Sequence, residues 1–498
     1  MATRAKKLED PAVFNPYAHL DIQIDAMEKQ FKLNAMSISK DEPRFSTGLL
    51  SLDIQLAGGL LGGGWYTCFG GEQSCKSTLA MTLLSSIMAQ KGFAGTSAYF
   101  DYEASSQAEY IENIMHSMGV SGNVENVFGL QDEQTGEWIV QPRVRYYTPP
   151  TGEMFFNYLA KLEKLLPDKV CINGSWFYIF DNSRENQKAL KGKYDPAYFT
   201  KHNRFRIPAE DGNAQAVILV DSYPAMLPQQ TDDKEEGDKS LASQARMFSD
   251  GLKRVKTAMR AKRILVFGVN QLRKIPMAMY GPTEQEPCGE SLRFYSDCRL
   301  RMSSVSPPHP VVPKGVIEKE ESIRYKGDDS YRYIKIRTYK NKLGGIPNQE
   351  IIMRLVVENG NGDATGFCHT WDAYQYLKLT GQIAGTRKAI KFLKSVEVVK
   401  HNAITQKTET ETIDFHSPLA GCKLDWYQFK TMIEGDRDSI REVCSELKLA
   451  RPIIFMSFLR KQVSTGKGYQ YMLAAKRLVS QGKKKAADEE VSADDDAE

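Results

Sequence analysis

Within nine residues, Gly70-Gly71-Glu72-Gln73-Ser74-Cys75-Lys76-Ser77-Thr78 bring together two glycines, a lysine and three hydroxyls. A short, mostly apolar run, Trp65 to Phe69, precedes them. Leu79 to Met88 follows, has neither Pro nor Gly, and reads as a helix. Strand, tight loop and helix form the context in which backbone N–H groups point at anionic phosphates. The Lys76 ammonium is then placed for the outer phosphates and the Ser77 hydroxyl for Mg²⁺. One position departs from the G-x-x-x-x-G-K-[ST] pattern, because Cys75 stands where the second glycine is usual. Glycine is favoured there because the backbone turns closely around phosphate.

Other stretches must position further groups around that loop. Ala98-Tyr99-Phe100-Asp101-Tyr102-Glu103 is a short β-rich run, and in a doubly wound sheet the strand ends face the nucleotide. A carboxylate at such an end can polarise an attacking water. Ala216 to Val220 is continuously apolar, as in a buried parallel strand, and ends in Asp221-Ser222. Asp221 is placed there to hold Mg²⁺ directly or through water. Arg263 to Arg273 is another core strand with a polar end, Asn270-Gln271.

Composition bounds the class. The 498 residues are 41% hydrophobic and 26% charged, enough for a large core in two or three domains. No apolar run is long enough to span a bilayer, and no apolar stretch follows the basic N-terminus, so neither a membrane span nor a secretory signal is expected. The eight cysteines form no C-x-x-C pairs, which reads as reduced thiols in a cytoplasmic compartment, and no Cys/His spacing supports zinc. Residues 486–498 carry seven acids and no bases, so the rest of the chain is +11 against +4 for the whole. A basic body suits a polyanion partner, with the acidic tail either competing for that surface or serving as a solvated tail. Leu20, Ile24, Met27 and Phe31 fall on one face of a short helix, able to dock on a neighbouring subunit or on the chain's own core.

Residues 45–64 make a resemblance specific. Ser46-Thr47-Gly48, Ser51-Leu52-Asp53 and Gly58-Gly59-Leu60, then a strand, then the phosphate loop, resemble the RecA/UvsX-type recombinase family, as does Met27 to Phe31. The long segment before residue 216 and the non-glycine Cys75 lean toward a phage-like relative. The resemblance implies an α/β fold: a RecA-type P-loop ATPase core with a central, mostly parallel sheet flanked by helices. It also implies an N-terminal polymerisation helix and strand and a smaller C-terminal α/β domain. The corresponding divisions are 1–44, 45–360 with an insertion at about 167–213, 361–482, and an acidic tail, 483–498.

The resemblance also assigns residues. Glu103 matches the catalytic glutamate, Tyr110 lies near the adenine-stacking tyrosine, and Gln271 matches the γ-phosphate-sensing glutamine. Lys340 and Lys342, in Lys340-Asn341-Lys342, match paired lysines that reach a neighbouring protomer's ATP. Leu241 falls at the first loop's base wedge, and Arg246, Ser249 and Lys253 match phosphate contacts on the helix after it. Arg273, Ile275, Pro276, Tyr280 and Gly289 fall in or beside the second DNA-binding loop, where Cys288 replaces a glycine. Cofactors would be ATP and Mg²⁺. Partners would be single-stranded DNA, duplex DNA and further copies of the chain in a helical filament, with single-stranded DNA-binding and loader proteins as additional candidates, and no membrane. The function implied is ATP- and DNA-dependent homologous pairing and strand exchange in the cytoplasm, that of the host if the chain is phage-encoded. A ring-helicase-like motor would keep the loop and Asp221 without needing the Ser46–Leu60 match. A nucleotide-regulated DNA-coating scaffold draws support from Cys75 alone. The aromatic and basic residues of 167–213 suit either an insertion with its own small core or a DNA grip.

Overall fold

The computed structural model describes residues 42–89, 93, 95–120, 122–229, 239–274, 284–305, 331–356, 365–401 and 408–479. The N-terminal helix, the acidic tail, most of the first loop, and Ile275, Pro276 and Tyr280 lie outside them, as does the side chain of Leu241.

A nine-stranded sheet organises the chain. Its strands are β1 (Gly64–Gly70), β2 (Thr96–Asp101), β3 (Val144–Tyr147), β4 (Ala216–Asp221), β5 (Ile264–Gln271), β6 (Cys298–Val305), β7 (Tyr331–Asn341), β8 (Glu350–Val356) and β9 (Gly366–Phe367). Across the sheet the order is β9-β8-β7-β6-β1-β5-β4-β2-β3. From β6 to β3 neighbours pair parallel; β7, β8 and β9 add antiparallel at the other edge. This is the α/β class expected from the apolar runs. A parallel strand covered on both faces buries side chains of both parities, and every residue of Ala216–Asp221 is buried.

Helices cover both faces. On one side, α1 (Lys76–Ala89) and α2 (Ala108–Ser117) pack Leu79, Leu83, Ile87, Ile111 and Ile114 against Tyr66, Val217, Phe267 and Leu300. Buried nearly all round, α1 has no polar face to lose, so it serves as a core element. On the other side, α3 (Gly152–Leu165), α4 (Lys239–Ala261) and α5 (Gly289–Tyr295) pack Phe155, Phe156, Phe248, Leu252 and Leu292 against Trp65, Phe100, Ile218 and Val266. Burying such aromatic and branched side chains stabilises each face by about 1.5–3 kcal/mol per side chain before entropy is charged.

The Ser46–Leu60 stretch is a clasp. Asp53 is fully buried and accepts hydrogen bonds from the Thr47 N–H (2.8 Å), the Thr47 hydroxyl (2.7 Å) and the Ser46 hydroxyl. Buried Asp372, on α6 (His369–Leu379), accepts from the N–H groups of Leu50 and Ser51 and from the Ser51 hydroxyl at the start of the Leu50–Gln55 helix. A carboxylate at a helix N-terminus satisfies orphan N–H groups and meets the positive end of the helix dipole. Burial pushes Asp53 up to about 7 and Asp372 up to about 6, against the hydrogen bonds that favour their charged forms. The clasp ties the core to residues 365–479, where α6, the sheet of Ile383–Thr386, Ala389–Phe392 and Lys423–Leu424, and the helices Trp426–Glu434 and Phe455–Ser464 enclose a separate core.

Residues 168–208 form a small module of their own. Asp168–Ile172, Ser175–Phe180 and Phe205–Pro208 pair antiparallel. The module is anchored by Lys169 to Asp211 (2.9 Å), Lys262 to Asp168 (3.0 Å), and the Arg263 guanidinium 4.6 Å from the Trp176 ring centroid.

Candidate active site

The parallel register gathers the loop and its partners at one edge of the sheet. Gly70 ends β1 opposite Gln271 at the end of β5, and Asp221 ends β4 opposite Asp101 at the end of β2. Gly70 must be glycine, because a Cβ would stand 2.1 Å from the Met302 carbonyl oxygen on β6. Glu72 and Gln73 are exposed, and a Cβ on Gly71 would meet nothing within 4 Å, so the loop keeps open space above it. Ser304 on β6 donates its hydroxyl to the Gln73 carbonyl (3.1 Å).

Lys76 opens α1 and is nearly buried. Its ammonium donates to the Gly71 carbonyl (2.6 Å) and the Ser74 hydroxyl (3.3 Å), and that hydroxyl donates to Gly71 as well (2.8 Å). A buried cation held only by neutral oxygens suits an anionic ligand. Ser77 hydrogen-bonds Asp221, whose carboxyl burial pushes up to about 7, with Glu103 and Asp101 adding to the shift and Ser77 and Lys76 opposing it. Among the described residues, no group of three or more His, Cys, Asp or Glu is set to hold a metal by itself. One hydroxyl and one carboxylate nevertheless suit Mg²⁺, which keeps water and takes phosphate oxygens alongside one or two carboxylates.

This carboxyl predicts a pH dependence. Asp221 keeps its proton up to about 7 when folded, against 3.8 as the ordinary value. Its contribution to stability without metal therefore falls as pH rises through that window. Mg²⁺ competes with the proton, so Mg²⁺-dependent nucleotide affinity should rise about tenfold per pH unit below 7 and level off above. Titrations across that range would check it, and Asp221→Asn should flatten the dependence.

Cys75 adopts φ 60° and Gln73 φ 54°, the left-handed region that side chains other than glycine rarely enter. The Cys75 side chain is half-buried against the core, and burial pushes its thiol up to about 11, with Arg332 and Lys76 pulling the other way. Cys75→Gly should relieve about 1–2 kcal/mol of backbone strain. Added unfolded-chain freedom should cost about 0.4–1 kcal/mol, and a little thiol packing is lost. The expected result is an unchanged or slightly raised Tm with nucleotide binding retained; loss of binding in a nucleotide titration would contradict it.

Glu103 is exposed, just beyond β2. Its Oε1 accepts from the Gln271 side-chain amide (2.9 Å) and from the Ser222 hydroxyl. Asp101 sets the turn beneath it, accepting from the N–H groups of Glu103 (3.1 Å) and Ala104 (2.9 Å) and from the Tyr146 hydroxyl (2.9 Å). Tyr110 meets Thr78 hydroxyl to hydroxyl at 2.6 Å. The structure thus brings together Lys76, Ser77, Thr78, Glu103, Tyr110, Asp221 and Gln271. Sequence reasoning missed Asp101, Ser222, Ser304 and Arg332. An acid at a strand end before a turn, and a serine directly after Asp221, were the only signals available.

Lys340 and Lys342 do not join this site within one chain. Lys340 pairs with Arg299, and Arg299 with Thr67, three residues before Gly70. That is about 10 Å back along the strands and about 10 Å across them. Its ammonium donates to the Arg293 and Phe294 carbonyls at the end of α5 (2.8 Å each), and the Lys342 ammonium lies 5.9 Å from the Phe294 ring centroid. Burial, with Lys342 and Arg299 nearby, pulls Lys340 down to about 8.

On α4, Gln244, Met247, Phe248 and Leu252 face inward, while Arg246 and Lys253 are exposed and Ser249 half-exposed on the opposite side. Arg246 has only a weak, exposed pairing with Asp250 at 3.7 Å. Arg273–Lys274 and Glu284–Gln285 form the paired neck of the second loop, with Arg273 exposed. Below the neck, buried Glu286 binds Arg299 and accepts from Asn270 (3.2 Å), and Arg299 stacks over Phe69 and Tyr339. This network joins the strand before the phosphate loop to the base of the second loop. Gly289 opens α5 at φ 77° against Ala245 on α4.

Comparison with known proteins agrees with this architecture. The family profile described as RecA N-terminal domain matches residues 209–361. "Protein RecA" from Wolbachia sp. subsp. Brugia malayi is 27% identical over 331 residues, 65% of this chain and 68% of that protein. "Protein RecA" from Marinobacter nauticus is 26% identical over 384 residues, 75% and 87% respectively, and that from Thermus aquaticus 24% over 388 residues, 76% and 90%. The chain is thus similar in sequence to RecA proteins, at low identity, and its mostly parallel sheet flanked by helices is consistent with a RecA-type core.

Proposed function

We propose that the chain is a DNA-dependent ATPase that polymerises on single-stranded DNA and promotes homologous pairing and strand exchange. The observation that carries this reading is the Gln271–Glu103 hydrogen bond above the phosphate loop. It links the group suited to activate water to the strand that leads directly into the second loop.

In this reading Lys76 and the loop N–H groups would hold the phosphates, and Ser77 and Asp221 would hold Mg²⁺, which would neutralise phosphate charge. Glu103 accepts a proton from the attacking water. Gln271 exchanges its Glu103 contact for one to the γ-phosphate, which pulls on Arg273 and the loop after it. Arg246, Ser249, Lys253, Arg273 and Gly289 would contact DNA, as would Leu241, Ile275, Pro276 and Tyr280, the last three and the Leu241 side chain lying outside the described residues. Lys340 and Lys342 serve the ATP of a neighbouring copy, and the N-terminal helix docks the copies together. The distance of Lys340 from its own phosphate loop supports a role in trans.

ATP turnover measured with and without single-stranded DNA tests the reading. The expected result is strong stimulation by DNA. Turnover indifferent to DNA would remove the DNA-dependent ATPase assignment.

A further inference from the structure

We propose that the lobe formed by residues 183–202 binds the phosphate backbone of duplex DNA. The lobe is the connection between two paired strands, Ser175–Phe180 and Phe205–Pro208, and an Asn182–Asn203 side-chain hydrogen bond (2.8 Å) closes its neck. It contains two short helices, Arg184–Ala189 and Pro196–His202, neither of which buries a residue. Its charges are sorted. Arg184, Lys188, Lys191, Lys193 and Lys201 are all exposed, and none has an ion pair among the described residues. Arg184 and Lys188 lie one helical turn apart on one face. Of the lobe's two acids, Asp195 caps the second helix, accepting from the N–H groups of Ala197 (3.0 Å) and Tyr198 (3.2 Å), and binds Arg206. Glu185 is the one exposed acid within the lobe.

Solvated lysines ordinarily alternate with acids. A closed lobe of about 20 residues whose exposed charge is nearly all positive generates a local field suited to a polyanion. The aromatic side chains narrow the choice. Tyr194, Phe199 and Phe205 pack on one another with ring centroids 4.8–5.4 Å apart, and Arg206 stacks on Tyr198 and Phe177. Tyr194, Tyr198 and Phe199 are half-buried, with ring faces taken up by one another, by Phe205 and by Arg206, so the lobe's exposed surface offers mainly the five cations as phosphate contacts. Single strands are gripped through stacking as well as charge, whereas a backbone-only surface suits a duplex. The Arg263–Trp176 and Lys169–Asp211 anchors fix the lobe to the core. The family match begins at residue 209, beyond the lobe.

The test uses the full chain carrying Lys188→Gln, Lys191→Gln and Lys193→Gln together, with duplex and single-stranded oligonucleotides, without nucleotide and across a salt series. The expected result is at least about a tenfold loss of duplex affinity and a salt slope shallower by about 2–3. Single-stranded binding and the Tm should hold. A second variant, Arg184→Gln with Lys201→Gln, should lower duplex affinity independently. Unchanged duplex affinity and slope in both variants, or equal loss for single strands, would overturn the proposal; the former would point to an acidic protein as the lobe's partner. Turnover stimulated by single-stranded DNA is read separately, so failure here is distinguishable from failure of the recombinase reading.

Discussion

Glu103→Gln is expected to lower DNA-stimulated ATP turnover by about 10²–10⁴-fold while leaving nucleotide binding near its original strength. Gln fills the same volume and still offers a carbonyl oxygen to the Ser222 hydroxyl and the Gln271 amide, the two groups that hold Glu103 in place. What it cannot do is accept a proton from water. The phosphate contacts sit on Lys76 and the loop, and Mg²⁺ would rely on Ser77 and Asp221, so affinity should be spared. Phosphate release and nucleotide titration on the same preparation check both halves. Normal turnover would remove Glu103 from the chemistry. Loss of binding as well would make it a structural support for the Asp221 edge of the sheet.

Lys340→Ala should lower kcat by about 10³-fold, in the range of a charge-stabilising donor supplied in trans. It also removes the ammonium from two α5 carbonyls, so a loss of kcat alone would not separate catalysis from damage to α5. Mixing separates them. Lys340→Ala and Glu103→Gln should each be nearly inactive, but in the proposed head-to-tail assembly each interface would take the glutamate from one copy and the lysine from the next. An equal mixture should therefore restore roughly a quarter of the wild-type interfaces. Restoration requires Lys340 to act across copies. Two variants that stay inactive when mixed, while still co-assembling, would end the trans role.

The two tests address different parts of the site. Glu103 is built within one chain, by residues that strand register brings to a single edge. Lys340 belongs to the antiparallel part of the sheet, where β7 runs back from that edge, so its end lies on the opposite side of the same chain's site. The hydrogen bonds to the Arg293 and Phe294 carbonyls fix its ammonium at the end of α5. A lysine near 8 still carries its charge for most of the population at neutral pH.

Much of this was legible in the residue order. The phosphate loop announced itself through Gly70, Lys76 and Ser77 between an apolar run and a helix-compatible stretch, because those signals are local. The continuous apolar run ending in Asp221 gave a buried parallel strand and a carboxylate at its end for the same reason. The inward and outward faces of α4 followed from helical spacing.

Only the tertiary structure decided how distant residues meet. Gln271 and Glu103 are 168 positions apart, and Ser222 and Glu103 119, so their contacts depend on which strands become neighbours. Asp53 stood in the Ser46–Leu60 stretch that carried the resemblance, and the fold buries it in a clasp with Ser46 and Thr47, beside a second clasp through Asp372, because a helix start inside the core must find its hydrogen-bond partners there. The lobe lysines were interleaved with aromatics in sequence, and folding packs the rings, half-buried, on one another and on Arg206 while leaving the lysines exposed. Gly70 to Thr78 pointed to phosphate binding with one departure, Cys75. The left-handed backbone at Cys75, and the separation of Lys340 from its own chain's phosphate loop, came from the fold, since backbone handedness and strand register are set by all the neighbours together.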